Sequence, residues 1–329
     1  MSPAAAGLAG ALVAAVVTAA GAPLARLLPL TDVPDDRTRA RKHQATAVPC
    51  VGGAALLVAW IVQTSCSQAS WAPSLPGVDP ASTSLAARWG PWAAMVAAFT
   101  VGLVDDLRPG GLGALPKLCA QLAAGVVLAG ALLGAGAASA WSAAVWVLLA
   151  VAAMNLVNTF DNADGAAAGL GLAGLAVATP AAAGALAGFL PFNLWLRRRG
   201  DARAYLGDSG SHLVGMVLLL EPAAWPVLLL PGLDLARVSL ARLREGRPVW
   251  SADRLHLAHR LQAAGLAPTP VAALLVGIAF PALWPAGLAG AALVVALFGV
   301  AVGLSPAGGG GGGLEPVGAR PCSRREAGG

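Results

Sequence analysis

The sequence predicts an all-α protein, a polytopic transmembrane bundle of about eight to ten helices with its charged loops on one side. Three observations carry this. Of 329 residues, 57% are hydrophobic and only 11% charged, whereas a soluble domain carries about a quarter charged. Apolar tracts rich in Ala, Gly, Val and Leu recur through residues 1–304, separated by short polar islands. The basic residues fall in the loops of one side, with Arg88 nearly alone in those of the other, as the positive-inside rule describes.

The elements follow in order. Residues 4–28 form a first apolar span. No basic stretch precedes it, so it reads as a retained helix rather than a cleaved signal. The loop 31–49 is dense in charge, with Asp32, Asp35, Asp36, Arg37, Arg39, Arg41, Lys42 and His43. A second span covers about 50–64. Residues 65–89 are Ser/Pro-rich and almost uncharged, as suits an external loop. A third span, 90–104, runs into Asp105-Asp106, and spans at 118–138 and 141–158 come next. The tract 165–192 leads to a basic loop from Arg197-Arg198-Arg199 to Asp208. Residues 211–235 are apolar but broken by Glu221-Pro222 and Pro226. Residues 237–262 are charged, and two closing spans occupy 270–304. Six consecutive Gly at 308–313 mark a disordered tail. The expected organisation is one membrane domain, 1–304, and a tail, 305–329.

The net charge of +5 lies in short flanks of apolar spans, which argues for membrane topology and against a nucleic-acid partner. Cys50, Cys66, Cys119 and Cys322 have no metal or redox spacing, so they read as packing residues and one tail thiol.

Chemistry concentrates in the islands. Asn155, Asn158, Asp161 and Asp164 recur every third residue, which on a continuous helix sets them along one face. So many amides and carboxylates at an apolar helix end cost free energy unless they bind something. Asp105-Asp106 are adjacent carboxylates at a span end, where a cation or a proton-transfer role compensates their repulsion. Lys117, at the start of the next span, could hold a phosphate.

Gly207-Asp208-Ser209-Gly210-Ser211 opens an apolar helix. It reads either as a simple N-cap or as a site where free N–H groups meet an anion and Asp208 holds Mg2+. Tyr205 is the one Tyr in the chain, suited to stacking on a base or to anchoring at the interface. His256 and His259, three apart on an expected helix beside Asp253-Arg254, face one way. They lack a third ligand for zinc and suit phosphate among Arg242, Arg244, Arg247, Arg254 and Arg260. Mg2+ together with phosphates is the ligand that uses both the acidic and the basic islands.

These residues resemble the polyprenyl-phosphate N-acetylhexosamine-1-phosphate transferases of glycosyltransferase family 4. That group includes phospho-MurNAc-pentapeptide transferase and the bacterial GlcNAc-1-phosphate transferases. The matching pieces are Arg39-Ala-Arg-Lys-His43 through Val48-Pro49-Cys-Val-Gly52-Gly53, then Gly102-Leu-Val-Asp105-Asp106 with Lys117 and Gln121. They continue with Asn155-Leu-Val-Asn158-Thr-Phe-Asp161-Asn-Ala-Asp164-Gly165, Phe189-Leu-Pro-Phe-Asn193, Tyr205-Leu-Gly-Asp208-Ser-Gly-Ser211 and Asp253-Arg254-Leu-His256-Leu-Ala-His259. They fall in the family's order over residues 37–262.

The resemblance implies an integral enzyme of the bacterial inner membrane with its site in cytoplasmic loops. It would move an N-acetylhexosamine 1-phosphate from a UDP-sugar to polyprenyl phosphate and release UMP, with Mg2+ (or Mn2+ as substitute). It implies Asp208 as metal ligand, with Asp105 and Asp106 on the lipid phosphate or the metal. Asn158, Asp161 and Asp164 would line the nucleotide-sugar pocket, Asn193 counts with the substrate-binding set, and Tyr205 would lie near the uracil. Arg254, His256 and His259 would contact the diphosphate, and Lys42 and His43 count with the substrate-binding set. A homodimer is compatible with the resemblance. The Asp-Arg-x-His pattern points to the GlcNAc-type branch; the peptidoglycan branch is the alternative. The family's third His is replaced by Ala258, its usual Gly by Asn162 and its usual Leu by Ala166.

Spacing sets a puzzle. Asp164 and Asn193 belong on one face of the membrane, yet only 28 residues lie between them, where two full crossings need roughly 40. The region from Ser211 to Arg237 is shortened in the same way. Short or broken helices are one answer, and an internally shortened, inactive homologue is the other.

Overall fold

The computed structural model describes residues 2–28, 30–32, 47–66, 71–79, 81–194, 203–251, 253–284 and 287–306. Lys42, His43, Arg197 to Arg199 and the tail from residue 307 lie outside the described residues. The described chain is a bundle of twelve α-helices. In order they are α1 (Pro3–Ala25), α2 (Gly52–Cys66), α3 (Leu85–Leu107), α4 (Ala114–Gly134), α5 (Ala140–Phe160) and α6 (Ala166–Ala178). There follow α7 (Pro180–Asn193), α8 (Gly207–Leu220), α9 (Leu229–Arg244), α10 (Leu257–Ala263), α11 (Pro268–Ala279) and α12 (Leu288–Leu304). Single 3-10 stretches, Pro222–Leu228 and Phe280–Leu283, lead into α9 and out of α11.

Among the described residues, four stretches are long and apolar enough to cross a bilayer: 3–25, 114–134, 140–160 and 222–244. The chain is thus an all-α, multi-pass membrane protein. Twelve helices exceed the expected eight to ten because apolar tracts that look continuous are broken. The tract 165–192 divides at Thr179, whose φ of -146° and ψ of 79° leave the helical region just before Pro180, a residue that cannot donate to a preceding turn.

That break answers the spacing puzzle. α6 and α7 have 13 and 14 residues, so each rises about 20 Å against a hydrocarbon core of about 30 Å. They form a hairpin whose ends meet again: the Gly165 N–H donates to Asn193 Oδ1 at 3.1 Å. The chain returns to its starting face on short helices. α8, with 14 residues, repeats the device. It stops at Glu221, and the 3-10 turn sends α9 back toward the same end.

Small residues permit this compaction. α7 packs along α1, and a Cβ added at Gly184 or Gly188 would lie 2.0 Å from the carbonyl oxygen of Gly7 or Ala11, respectively. Two glycines four apart bring the backbones into contact, as in close helix pairs in lipid. Buried Gln63 ties the group together, donating to the carbonyls of Ala6 at 2.8 Å and Ala181 at 2.6 Å. Ser2, Ser84 and Ser139 cap the starts of α1, α3 and α5. Near the same end, Trp71 Nε1 donates to Glu221 Oε1 at 3.0 Å, fastening the uncharged loop to the foot of α8. The charged islands gather at the opposite end. There β1 (Thr31–Asp32) and β2 (Val48–Pro49) form a two-residue antiparallel ribbon at the base of the first basic loop.

Candidate active site

The C-terminal ends of α3 and α5 meet the N-terminal ends of α4 and α8. The seam between α3 and α8 is backbone on backbone: a Cβ at Gly102 would sit 2.2 Å from the Asp208 carbonyl oxygen. This approach lets Asp106 cap α8 from another helix. Its Oδ1 accepts the Asp208 N–H at 2.8 Å, and its Oδ2 accepts the Ser209 N–H at 3.0 Å and the Ser209 hydroxyl at 2.7 Å. The helix-start N–H groups that the sequence suggested for a ligand anion are therefore used by the chain's own carboxylate. Asp106 fixes where Asp208 stands.

Asp208 is the hub. The Lys117 ammonium bonds its Oδ2 and lies 3.6 Å from Asp105 Oδ2. Asn158 Nδ2 donates to its Oδ1 at 2.7 Å and to Ser211 Oγ at 3.1 Å. Asp105 also accepts the Leu112 N–H at 2.7 Å, which fastens the turn between α3 and α4. Four helices thus contribute Asp105, Lys117, Asn158 and Asp208 to one cluster.

The 155–164 run is not one helical face. α5 ends at Phe160, and Asp161 caps it with non-helical backbone, φ -75° and ψ 39°. The chain then turns through Gly165 at φ +88°, a conformation that favours glycine. Asn155 and Asn158 share the helix, while Asp161 and Asp164 lie in the turn beyond it. Burial, followed by the charges of Asp164, Asp208 and Asp106, holds the Asp161 carboxyl well above the usual carboxylate range. Asn193 is 1% exposed, with its amide divided between the Gly165 N–H and the Ala204 carbonyl, the latter at 3.2 Å. It supports the turn from beneath.

The basic loop and the α8 approach are stapled together. The Tyr205 N–H donates to the Pro49 carbonyl at 2.8 Å, and the Tyr205 carbonyl accepts the Gly52 N–H at 3.1 Å. The Tyr205 side chain is half-buried.

The histidine motif also departs from a single helix face. α10 starts at Leu257, and His256 precedes it with extended backbone. The cause is Asp234 on α9, a residue outside every motif of the sequence. Its carboxylate accepts the Leu257 N–H at 3.1 Å, pairs with His256 Nδ1 at 2.8 Å and takes Arg237 at 2.8 Å. An acid within an apolar stretch was the available signal. Arg242 forms a fork with Asp253, at 2.9 and 3.1 Å, and Arg247 adds a third bond at 3.1 Å. Although burial opposes it, the Arg242 guanidinium holds the Asp253 carboxyl below its ordinary range. Arg254 and His259 are half-buried in the same segment. Gln262 on α10 reaches the Asn162 carbonyl at 3.4 Å, which brings the motif to the Asp161–Asp164 turn.

Among the described residues, no group of three or more His, Cys, Asp or Glu side chains is arranged to hold a metal by itself. The donor chemistry still suits a hard cation. Asp105 and Asp208 share one ammonium, and the Asp161 carboxyl is raised first by burial and then by its acidic neighbours. Mg2+ is commonly held by one or two carboxylates and completed by substrate phosphates and water, a demand that Asp208 and Asp105 can meet.

Comparison with known proteins places these residues in context. The family model of glycosyl transferase family 4 matches residues 89–221, the stretch containing Asp105, Lys117, Asn158 and Asp208. The decaprenyl-phosphate N-acetylglucosaminephosphotransferase of Mycobacterium tuberculosis (strain CDC 1551 / Oshkosh) is 31% identical over 284 residues, covering 68% of this chain and 67% of its own length. That of Mycobacterium leprae is 32% identical over 222 residues, 49% of this chain and 54% of its own. The undecaprenyl-phosphate alpha-N-acetylglucosaminyl 1-phosphate transferase of Escherichia coli K12 is 29% identical over 152 residues, 37% of this chain and 40% of its own.

Proposed function

This chain belongs to glycosyl transferase family 4, and we propose that it transfers N-acetylglucosamine 1-phosphate from UDP-GlcNAc to a polyprenyl phosphate, with release of UMP. The observation that carries this reading is the convergence of Lys117, Asn158 and Asp105 on Asp208. That cluster lies at the end of the bundle that also holds the His256 segment. The names of the three relatives agree on the group transferred and on a polyprenyl-type acceptor.

In the proposed reaction, an oxygen of the acceptor phosphate attacks the β-phosphorus of the donor. A new P–O bond forms, the bond from that phosphorus to the bridging oxygen breaks, and its electron pair leaves on UMP. Little covalent work falls to the protein, which positions the reactants and balances charge. Lys117 offers its ammonium to the transferring phosphate while held by Asp105 and Asp208. Asn158 orients the Asp208 carboxylate, and Asp106 keeps that carboxylate at the seam of α3 and α8. Asp161 and Asp164 line the sugar-nucleotide side, with Asn193 supporting their turn and Tyr205 toward the uracil. Arg254, His256 and His259 take the diphosphate, and Lys42 and His43 of the first basic loop count with the substrate-binding set. Asp208, with Asp105, would hold Mg2+, which when bound supplies positive charge to the phosphates.

In this reading the end of the bundle that carries the site faces the cytoplasm from the bacterial inner membrane, a topology supported by the basic residues flanking the spans. The product would be the first lipid-linked sugar of a cell-envelope glycan. Membranes carrying the protein, given UDP-GlcNAc, polyprenyl phosphate and Mg2+, should release UMP, and Asp208→Asn should abolish it. Absence of UMP with any UDP-N-acetylhexosamine would instead indicate an inactive homologue.

A further inference from the structure

One helical turn beneath the Lys117–Asp208–Asn158 cluster lies a second polar layer drawn from the same three helices. Gln121 follows Lys117 by four residues on α4. His212 follows Asp208 by four on α8. Asn155 precedes Asn158 by three on α5. Gln121 is 1% exposed and His212 fully buried, at a depth where an unpaired polar group is costly. The layer is a chain of bonds: Asn155 Nδ2 to Gln121 Oε1 at 2.8 Å, and Gln121 Nε2 to His212 Nε2 at 2.8 Å.

The direction of the chain is determined from one end. Asn155 Nδ2 also donates to the Val151 carbonyl at 2.8 Å, and a carbonyl only accepts. The nitrogen of Asn155 therefore faces Gln121, so Gln121 must present its oxygen there and its NH2 to the histidine. An NH2 group only donates, so His212 Nε2 must be the unprotonated, accepting nitrogen. The contacts on this side call for a neutral imidazole with its proton on Nδ1, a buried atom that meets no hydrogen-bond partner among the described residues. A protonated ring would set an N–H against an NH2 and break the chain.

We infer that His212 is a positioning residue: as a neutral acceptor it locks α4, α5 and α8 in register one turn below the site, fixing the separation of Lys117, Asp208 and Asn158. The effect on rate rests on the transferase reading above, while the tautomer does not.

Two measurements on the full chain in lipid nanodiscs separate these parts. The chain holds four histidines, and 15N-histidine NMR reads their tautomers, the His212 signals being those lost in His212→Gln. A neutral ring protonated on Nδ1 is expected. A ring protonated on Nε2, or on both nitrogens, overturns the inference even if the wild type transfers nothing.

In kinetics, His212→Leu strands the Gln121 NH2 and should lower kcat about tenfold, the range seen when supporting hydrogen bonds to a reactive group are removed. KM for UDP-GlcNAc should stay within about twofold, since the lost interaction is not a substrate contact. His212→Gln, which restores an acceptor, should recover most of kcat. An unchanged kcat in His212→Leu, or equal loss in both variants, refutes the positioning role. A purely structural histidine would lower the melting temperature and leave kcat per folded molecule intact.

Discussion

Gly102→Ala tests the geometry of the site with one methyl group. The added Cβ would lie 2.2 Å from the Asp208 carbonyl oxygen and 2.3 Å from the Asp208 carbonyl carbon and the Ser209 nitrogen. All three are backbone atoms, so no side chain can rotate away. Ordinary contact begins near 3.4 Å, so α3 and α8 must part by about 1 Å, a strain of about 1–3 kcal/mol for overpacking. Asp106 stands four residues on, and its three bonds to Asp208 and Ser209 cross this seam. Parting the helices stretches those bonds and carries Asp208 away from Lys117 on α4 and Asn158 on α5. A displacement of about 1 Å at a reacting group can cost about a hundredfold in rate. UMP release by purified Gly102→Ala should therefore fall by about that factor, with a lower melting temperature. Gly130→Ala is the control, since a Cβ there meets nothing within 4 Å and should leave both quantities unchanged. Activity of Gly102→Ala within about threefold of wild type would refute the claim that this seam sets the rate.

Other outcomes follow from the same geometry. Asp234→Asn should destabilise the α9–α10 junction by roughly 3 kcal/mol, the cost of removing one partner of a buried ion pair. It should raise KM for UDP-GlcNAc more than it lowers kcat, because His256 and the start of α10 lose their anchor; melting curves and initial rates check both. Stability should also fall in acid through Asp253. Its carboxyl is held low in the folded state, so the unfolded chain takes up the proton first as pH drops below about 4. The stabilisation is present above that value and lost on going below it. Asp253→Asn should flatten the acid limb of the melting-temperature profile.

Much of this was readable from residue order. The apolar tracts, the single-sided charge and the islands at 105–106, 155–164 and 207–211 predict a membrane bundle with one polar end. Lys117, Asn158 and Asp208 do meet there. Three features were hidden because they depend on the approach of distant segments. Asp106 reads as a second acid for a metal or phosphate, yet its partners are N–H groups 102 and 103 residues away. The three-residue spacing of 155–164 suggests a continuous face, but the helix stops at Phe160. The spacing of His256 and His259 suggests one helix, but α10 starts one residue after His256, because Asp234 caps it from α9. The shortness of 165–192 was legible, whereas its resolution into a hairpin closed by Asn193 was not.

The most direct test uses UDP-GlcNAc labelled with 32P at the β-phosphate and, in parallel, with 14C in the sugar. Membranes containing the protein are incubated with polyprenyl phosphate and Mg2+, and the lipid phase is then extracted. Both labels should enter the lipid in equal amounts, with UMP as the soluble product, and neither should do so in Asp208→Asn. Entry of 14C without 32P, or label transfer that survives Asp208→Asn, would contradict the account.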